Sequence, residues 1–159
     1  MESKNFTYEK SGVSIKKADN FIKFISSSTK KSKKSGKFKN IGGFGSLSEV
    51  PKNLKSPHVV ASSDGVGTKG IFAYNNFGLP GLYNCGHDIV NHCINDILVM
   101  GAYPLFFLDY YASSKLDEWS FYQIIDGIHM GCEEAGMQLL GGETAEMNGV
   151  TEQGTFDVC

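Results

Sequence analysis

Residues Leu82 to Met100 carry the strongest periodic pattern in the chain, and the rest must fold around it. Ile89 and Val90, Cys93 and Ile94, and Ile97 and Leu98 recur every four residues; Pro80-Gly81 breaks the chain before them and Gly101 stops it after. That spacing predicts one amphipathic helix with a buried stripe, and such a stripe needs an apolar surface to pack on. Three short runs rich in β-favouring residues supply it: His58 to Ala61, Leu105 to Tyr111 and Met137 to Leu140. Asp117 to Ala135 reads as a second helix, with Asp117 or Glu118 near its start, Phe121, Ile124, Ile125 and Ile128 inward, and Gly136 as its stop. His129 on this helix reads as structural. The expected class is α+β, a mixed sheet flanked by helices.

The run Leu105 to Tyr111 is apolar almost throughout, which predicts a strand buried on both faces. Asp109 interrupts it. A lone carboxylate there is costly, so Asp109 is expected either at a strand end facing a site or bonded to backbone N–H groups.

The chemistry gathers where strands are expected to end. After His58 to Ala61 comes Ser62-Ser63-Asp64-Gly65-Val66-Gly67-Thr68-Lys69. Its glycines let backbone N–H groups approach an anion, Lys69 neutralises phosphate charge, and Asp64 offers oxygen to a hard cation such as Mg²⁺. The order Gly67-Thr68-Lys69 is not the Gly-Lys-Ser/Thr of a P-loop. Gly65, Gly67 and Gly70 match the dinucleotide fingerprint literally, but Ile71 to Phe77 is too short for a crossover helix, and Asp88 falls inside a helix instead of at a strand end. A tight exposed turn explains the glycines and Asp64 but gives Lys69 beside Thr68 no role, and on this stretch alone both readings stay open.

The same grammar returns after Met137 to Leu140, in Gly141-Gly142-Glu143-Thr144-Ala145-Glu146-Met147. Between the two turns, the first helix carries Asp88, His92, Asn95 and Asp96 on another face. Residues at i, i+4 and i+8 drift little around a helix, so Asp88, His92 and Asp96 either project into one site or form a wet face. Together these groups supply several oxygen ligands, a set suited to Mg²⁺ on a polyphosphate.

The remaining sequence sets limits. A chain of 159 residues with 41% hydrophobic and 20% charged residues is ordinary for one globular domain. Its net charge of −2 disfavours nucleic acid or a membrane as the main partner. The basic residues are all lysine, and six of the fifteen lie between Lys30 and Lys39, in a solvated Lys/Ser-rich tract. Residues 1–40 therefore read as an arm, a short helix over Asp19 to Ser28 with Asp19 as N-cap, and a linker; residues 41–159 read as the working domain. That domain opens on Gly42-Gly43-Phe44-Gly45, a loop able to fold over a nucleotide but equally a flexible hairpin. Cys85, Cys93, Cys132 and Cys159 show no C-x-x-C spacing and no apolar leader is evident, so a reducing cytoplasm is the expected compartment.

Taken in order and spacing, Gly42 to Leu47, Asp64 to Lys69, Asn95-Asp96, Pro104 to Ala112 and Gly141 to Met147 resemble the N-terminal half of the phosphoribosylformylglycinamidine cyclo-ligases, also called aminoimidazole ribonucleotide synthetases. The resemblance runs from Tyr8 onward. It implies an ATP-binding domain of that superfamily, a homodimer whose strands form a shared barrel, and the purine-synthesis step in which ATP activates a formyl oxygen of formylglycinamidine ribonucleotide so that an internal nitrogen closes the imidazole ring. ADP and phosphate leave. Carried over by position, Asp64, Asp96 and Glu143 resemble the Mg²⁺ ligands, with Asp88 as a further candidate. Lys69, Thr68, Gly65 and Gly67 resemble the phosphate grip, with Lys69 and Asp64 at the catalytic centre. Gly42, Gly43, Phe44 and Gly45 resemble a flap, and Asn95 and Thr144 stand among the nucleotide contacts.

Three positions depart from the pattern: Ser14 where an acid is common, His87 where the family is apolar, and Asn148 where a proline usually follows. The resemblance also implies a second domain of similar size beyond Cys159 that completes the substrate site, so these residues alone are expected to be catalytically silent. Two other readings stand beside it: a small-molecule kinase of the same superfamily, of the thiamine monophosphate kinase type, and a non-catalytic nucleotide-binding dimerisation module.

Overall fold

The computed structural model describes Thr7, residues 15–16, 19–20, 22–24, Ser27 and residues 47–159. The Gly42 to Gly45 loop, the Lys/Ser-rich tract and the boundary at residue 40 lie outside the described residues. Residues 15–16, 19–20, 22–24 and 27 are helical, so Asp19 sits within helix instead of capping it. Phe24 lays its ring 4.2 Å from that of Tyr122.

The main body of the described residues runs α1 (Thr68–Phe77), α2 (Leu79–Val99), β1 (Phe106–Ser113), α3 (Glu118–Ala135), β2 (Gln138–Glu146) and β3 (Phe156–Val158). This mixed α+β body holds a three-stranded open sheet in the order β2-β1-β3, with β1 parallel to β2 and antiparallel to β3. The parallel pair requires a crossover, and α3 provides it. Asp117 caps α3 by accepting the Ser120 N–H at 2.8 Å, and Gly136 ends it in the left-handed region at φ 71°.

Glycine brings the helices close. Gly78, at φ 63°, is the single residue between α1 and α2, and a Cβ on Gly81 would lie 2.4 Å from the Ala73 carbonyl oxygen. Between α2 and α3, a Cβ on Gly86 would lie 2.0 Å from the Ile124 oxygen, and one on Gly127 at 2.0 Å from that of Tyr83. Backbones that approach this closely leave room only for hydrogen. Leu82, Ile89 and Val90 of α2 and Phe121, Ile124, Ile125 and Ile128 of α3 fill the resulting core, closed by Phe107, Tyr111 and Leu139 from the sheet.

Several sequence expectations change here. Residues 68–77 form a helix of their own, where the sequence reading assigns no helix. His58 to Ala61 is exposed and belongs to no strand, because its backbone meets no strand edge within the described residues. The α2 stripe fades after Ile94: Leu98 and Val99 are exposed. From Phe106 to Tyr111 strand β1 is buried on one face only, with Phe107, Asp109 and Tyr111 inward and Phe106, Leu108 and Tyr110 outward; at Ala112 the other face is buried too.

The second glycine-rich turn is not a turn. Strand β2 continues through Gly141 to Glu146, and a bulge at Leu140 makes this possible: Phe107 pairs with Leu139, but Leu108 pairs with Gly141. One extra residue in a strand swaps the faces of everything after it. Glu143 is thereby placed opposite Tyr110 on the outer face, and Gly142 opposite Asp109 on the inner face.

Candidate active site

The stretch Ser62 to Lys69 lies along one side of α2, held at three points. Ser62 Oγ donates to Asp96 Oδ2 at 2.9 Å, His92 Nε2 meets Asp64 Oδ2 at 2.8 Å, and Lys69 Nζ pairs with Asp88 Oδ2. As the stretch advances from 62 to 69, its partners retreat from 96 to 88, so the two segments run antiparallel. Asp88, His92 and Asp96 follow one another at four-residue steps, which spreads the three contacts over about 12 Å of helix.

Strand β3 sets this path. Val66 donates its N–H to the Val158 oxygen at 2.9 Å, and Gly67 donates to Asp157 Oδ1 at 3.0 Å. Gly67 turns the chain at φ 58° to start α1, and the Phe156 ring lies 2.9 Å from where a Cβ on Gly70 would stand. Asp157 is the participant that sequence reading missed. It stands ninety residues from Gly67, in a run Phe-Asp-Val with no local motif.

Two groupings result. Ligand atoms of Asp64, His92 and Asp96 lie within 4.8 Å of one another. Lys69 and Asp88 form the adjacent ion pair; Asp64, Lys69, His92 and Asp96 are exposed and Asp88 is half-buried. Two carboxylates and an imidazole offer a divalent cation oxygen and nitrogen donors together, so the residues present fit a metal. Asp88 lies outside the metal-like group, held by Lys69.

The other sequence candidates spread more widely. Thr68 opens α1 and Asn95 is exposed on α2 beside Asp96. The Gly65 N–H donates to Asp64 Oδ1 at 2.7 Å, so it and the Gly67 N–H are both taken by carboxylates. Glu143 is exposed on β2, outside the Asp64 group, and its Oε1 accepts the Thr144 N–H at 3.0 Å. Thr144 pairs in register with Tyr111. Glu146 accepts the Leu116 N–H at 2.9 Å and so ties the end of β2 to the loop before α3.

Beneath the outer face lies Asp109, 4% exposed in the middle of β1. It is neither at a strand end nor fully bonded: Oδ2 finds no partner, and burial pushes the carboxyl up to about 7. Gly142 makes room for it. A Cβ there would meet the Asp109 carbonyl oxygen at 1.9 Å and Oδ1 at 2.4 Å. Nearby Cys132 is pushed up to about 12, by burial first and by the Asp109 charge second, so its thiol stays protonated and inert.

Residues 52–159 match the family described as "AIR synthase related protein, N-terminal domain". The chain belongs to this family. It is 44% identical over 151 residues to the phosphoribosylformylglycinamidine cyclo-ligase of Caldanaerobacter subterraneus subsp. tengcongensis, covering 95% of this chain and 44% of that protein. The enzyme of that name from Methylobacillus flagellatus is 45% identical over 157 residues, with 99% of this chain and 44% of the relative covered. That of Burkholderia cenocepacia is 44% identical over the same length. The chain thus spans somewhat less than half the length of these relatives. Among the described residues no helix is long and apolar enough to cross a membrane.

Proposed function

We propose that this chain is the Mg-ATP-binding part of a phosphoribosylformylglycinamidine cyclo-ligase, which closes the imidazole ring of formylglycinamidine ribonucleotide with hydrolysis of ATP. The observation that carries the proposal is the antiparallel alignment of Ser62 to Lys69 on α2. It brings the Asp64, His92 and Asp96 side chains together and sets Lys69, in the first turn of α1, one helical turn away along α2, which supports a site for a metal and a transferring phosphoryl group. The relatives named for this reaction support it.

In this reading Asp64 and Asp96 would hold Mg²⁺ through carboxylate oxygens, with His92 orienting Asp64 and Ser62 orienting Asp96. The cation, when bound, neutralises phosphate charge. Lys69 meets the transferring phosphoryl group, where its charge counts more as the transition state forms. The N–H groups of Gly65 and Gly67 are donors that a phosphate oxygen takes over from the Asp64 and Asp157 carboxylates. Thr68 places the positive end of the α1 dipole toward the same anion. Asn95 lies next to Asp96 for the nucleotide. The outer face of β1, with Phe106, Leu108 and Tyr110 exposed, is covered by a second copy in a homodimer.

The test is turnover by the full-length protein. Formylglycinamidine ribonucleotide should drive ATP hydrolysis and yield aminoimidazole ribonucleotide, whereas thiamine phosphate should not. In the same assay Lys69→Met should lower kcat by at least about tenfold, equal to 1.4 kcal/mol, and weaken ATP binding less. ADP release with transfer of the phosphoryl group to thiamine phosphate would favour a kinase. Nucleotide binding without turnover would favour a sensing module.

A further inference from the structure

Resting on the nucleotide-binding reading, we propose that Asp88 is a specificity residue that makes the site accept metal-bound polyphosphate and refuse the free anion. Its carboxylate is engaged by Lys69 Nζ, nineteen residues away in sequence, and lies outside the Asp64, His92 and Asp96 group. The pairing is built into the helix hairpin. Gly78 alone links α1 to α2, and the Gly81 to Ala73 approach fixes how the first turn of α1 faces α2. Lys69 therefore reaches Asp88 without any freedom of the connecting chain.

The charge balance gives the pair its effect. Lys69 occupies the first turn of α1, where no acidic residue offsets the helix dipole. By itself this would be an unselective anion site, open to phosphate, pyrophosphate or any free nucleotide. Asp88 cancels that charge, and Asp64 and Asp96 lie further along the same side of α2. Without a cation, the carboxylates of Asp64, Asp88 and Asp96, and that of Asp157 at the Gly67 N–H, stand against one ammonium and the exposed His92 imidazole. A free triphosphate meets net repulsion. A cation at Asp64 and Asp96 reverses the balance locally, and the incoming phosphate oxygens then compete with Asp88 for Lys69. The site thereby selects the metal complex over the free anion.

Calorimetric titration of the full-length protein with ATP, once with Mg²⁺ and once with EDTA, tests this. Asp88→Asn should tighten metal-free ATP binding by about fivefold at low salt, an effect that shrinks as salt is added. Asp88→Glu, which keeps the charge, should leave metal-free binding as weak as in the unmodified protein. A metal-free affinity unchanged in Asp88→Asn, with Mg-ATP binding weakened, would make Asp88 a metal ligand and overturn the inference alone. Absence of Mg-ATP binding by the unmodified protein would overturn the nucleotide reading and this inference with it.

Discussion

His92 Nε2 lies 2.8 Å from Asp64 Oδ2, joining the middle of α2 to the glycine-rich stretch ahead of α1. The contact is one of three that align these segments, and it brings Asp64 to Asp96 without any strand between residues 58 and 61. The loop is held in place by side chains on a helix and by the edge of β3. A cation there would be gripped by two separate elements, the stretch tied to β3 and the helix α2, which is anchored in the core by glycine-mediated packing.

The outward residues of β1 yield a prediction about assembly. Leu108 is 54% exposed on a strand whose inner face is fully packed, so replacing it should disturb an interface and not the core. Light scattering of the unmodified chain should report twice the 17.4 kDa chain mass, and Leu108→Glu should halve it with circular dichroism unchanged. A monomeric unmodified chain at micromolar concentration would remove the case for the homodimer.

Gly142 carries a prediction about stability. Any side chain there collides with the Asp109 backbone, which cannot swing aside as a flexible side chain does. Gly142→Ala should cost about 3 kcal/mol or more in urea unfolding, above the range of ordinary overpacking. A loss under about 1 kcal/mol would mean that β1 and β2 separate easily at this point.

Asp109 predicts an unusual pH profile. Its carboxyl titrates near 7 when folded, against an ordinary value of 3.8, so the folded chain holds the proton more firmly than the unfolded chain. Its contribution is therefore fully present below about 4 and is lost as pH rises toward and through about 7. The whole change is at most about 4 kcal/mol, and less where water reaches the group. Asp109→Asn should remove this fall, narrowing the difference in urea midpoint between pH 5 and pH 8. Equal pH dependence in both proteins would show that Asp109 is ionised and satisfied in the folded state.

Much of this arrangement was legible in the sequence because its signals are local. The four-residue recurrence of Ile89, Cys93 and Ile97 marks α2, the Asp117 cap and Gly136 bracket α3, and Lys69 beside Thr68 marks the phosphate-binding candidate. What sequence reading lost depends on long-range pairing. The bulge at Leu140 has no composition of its own, yet it extends β2 through Gly141-Gly142 and decides which way Glu143 points. The alternation of β1 was hidden because its outward residues are as apolar as its inward ones. The helix at Thr68 was concealed by glycines that read as a turn. Asp157 gains its role only through the fold, by receiving the Gly67 N–H.

The claim that Asp64 and Asp96 jointly hold the cation of Mg-ATP is the one on which the functional reading stands. Asp96→Asn keeps the shape and leaves an oxygen to accept the Ser62 hydroxyl, but removes one ligand charge at an exposed position. Calorimetric titration of Mg-ATP into the full-length protein and this variant measures the effect directly. The reading predicts a loss of affinity of about tenfold or more in the variant, with helix content unchanged. Equal Mg-ATP affinity in the two proteins would contradict it.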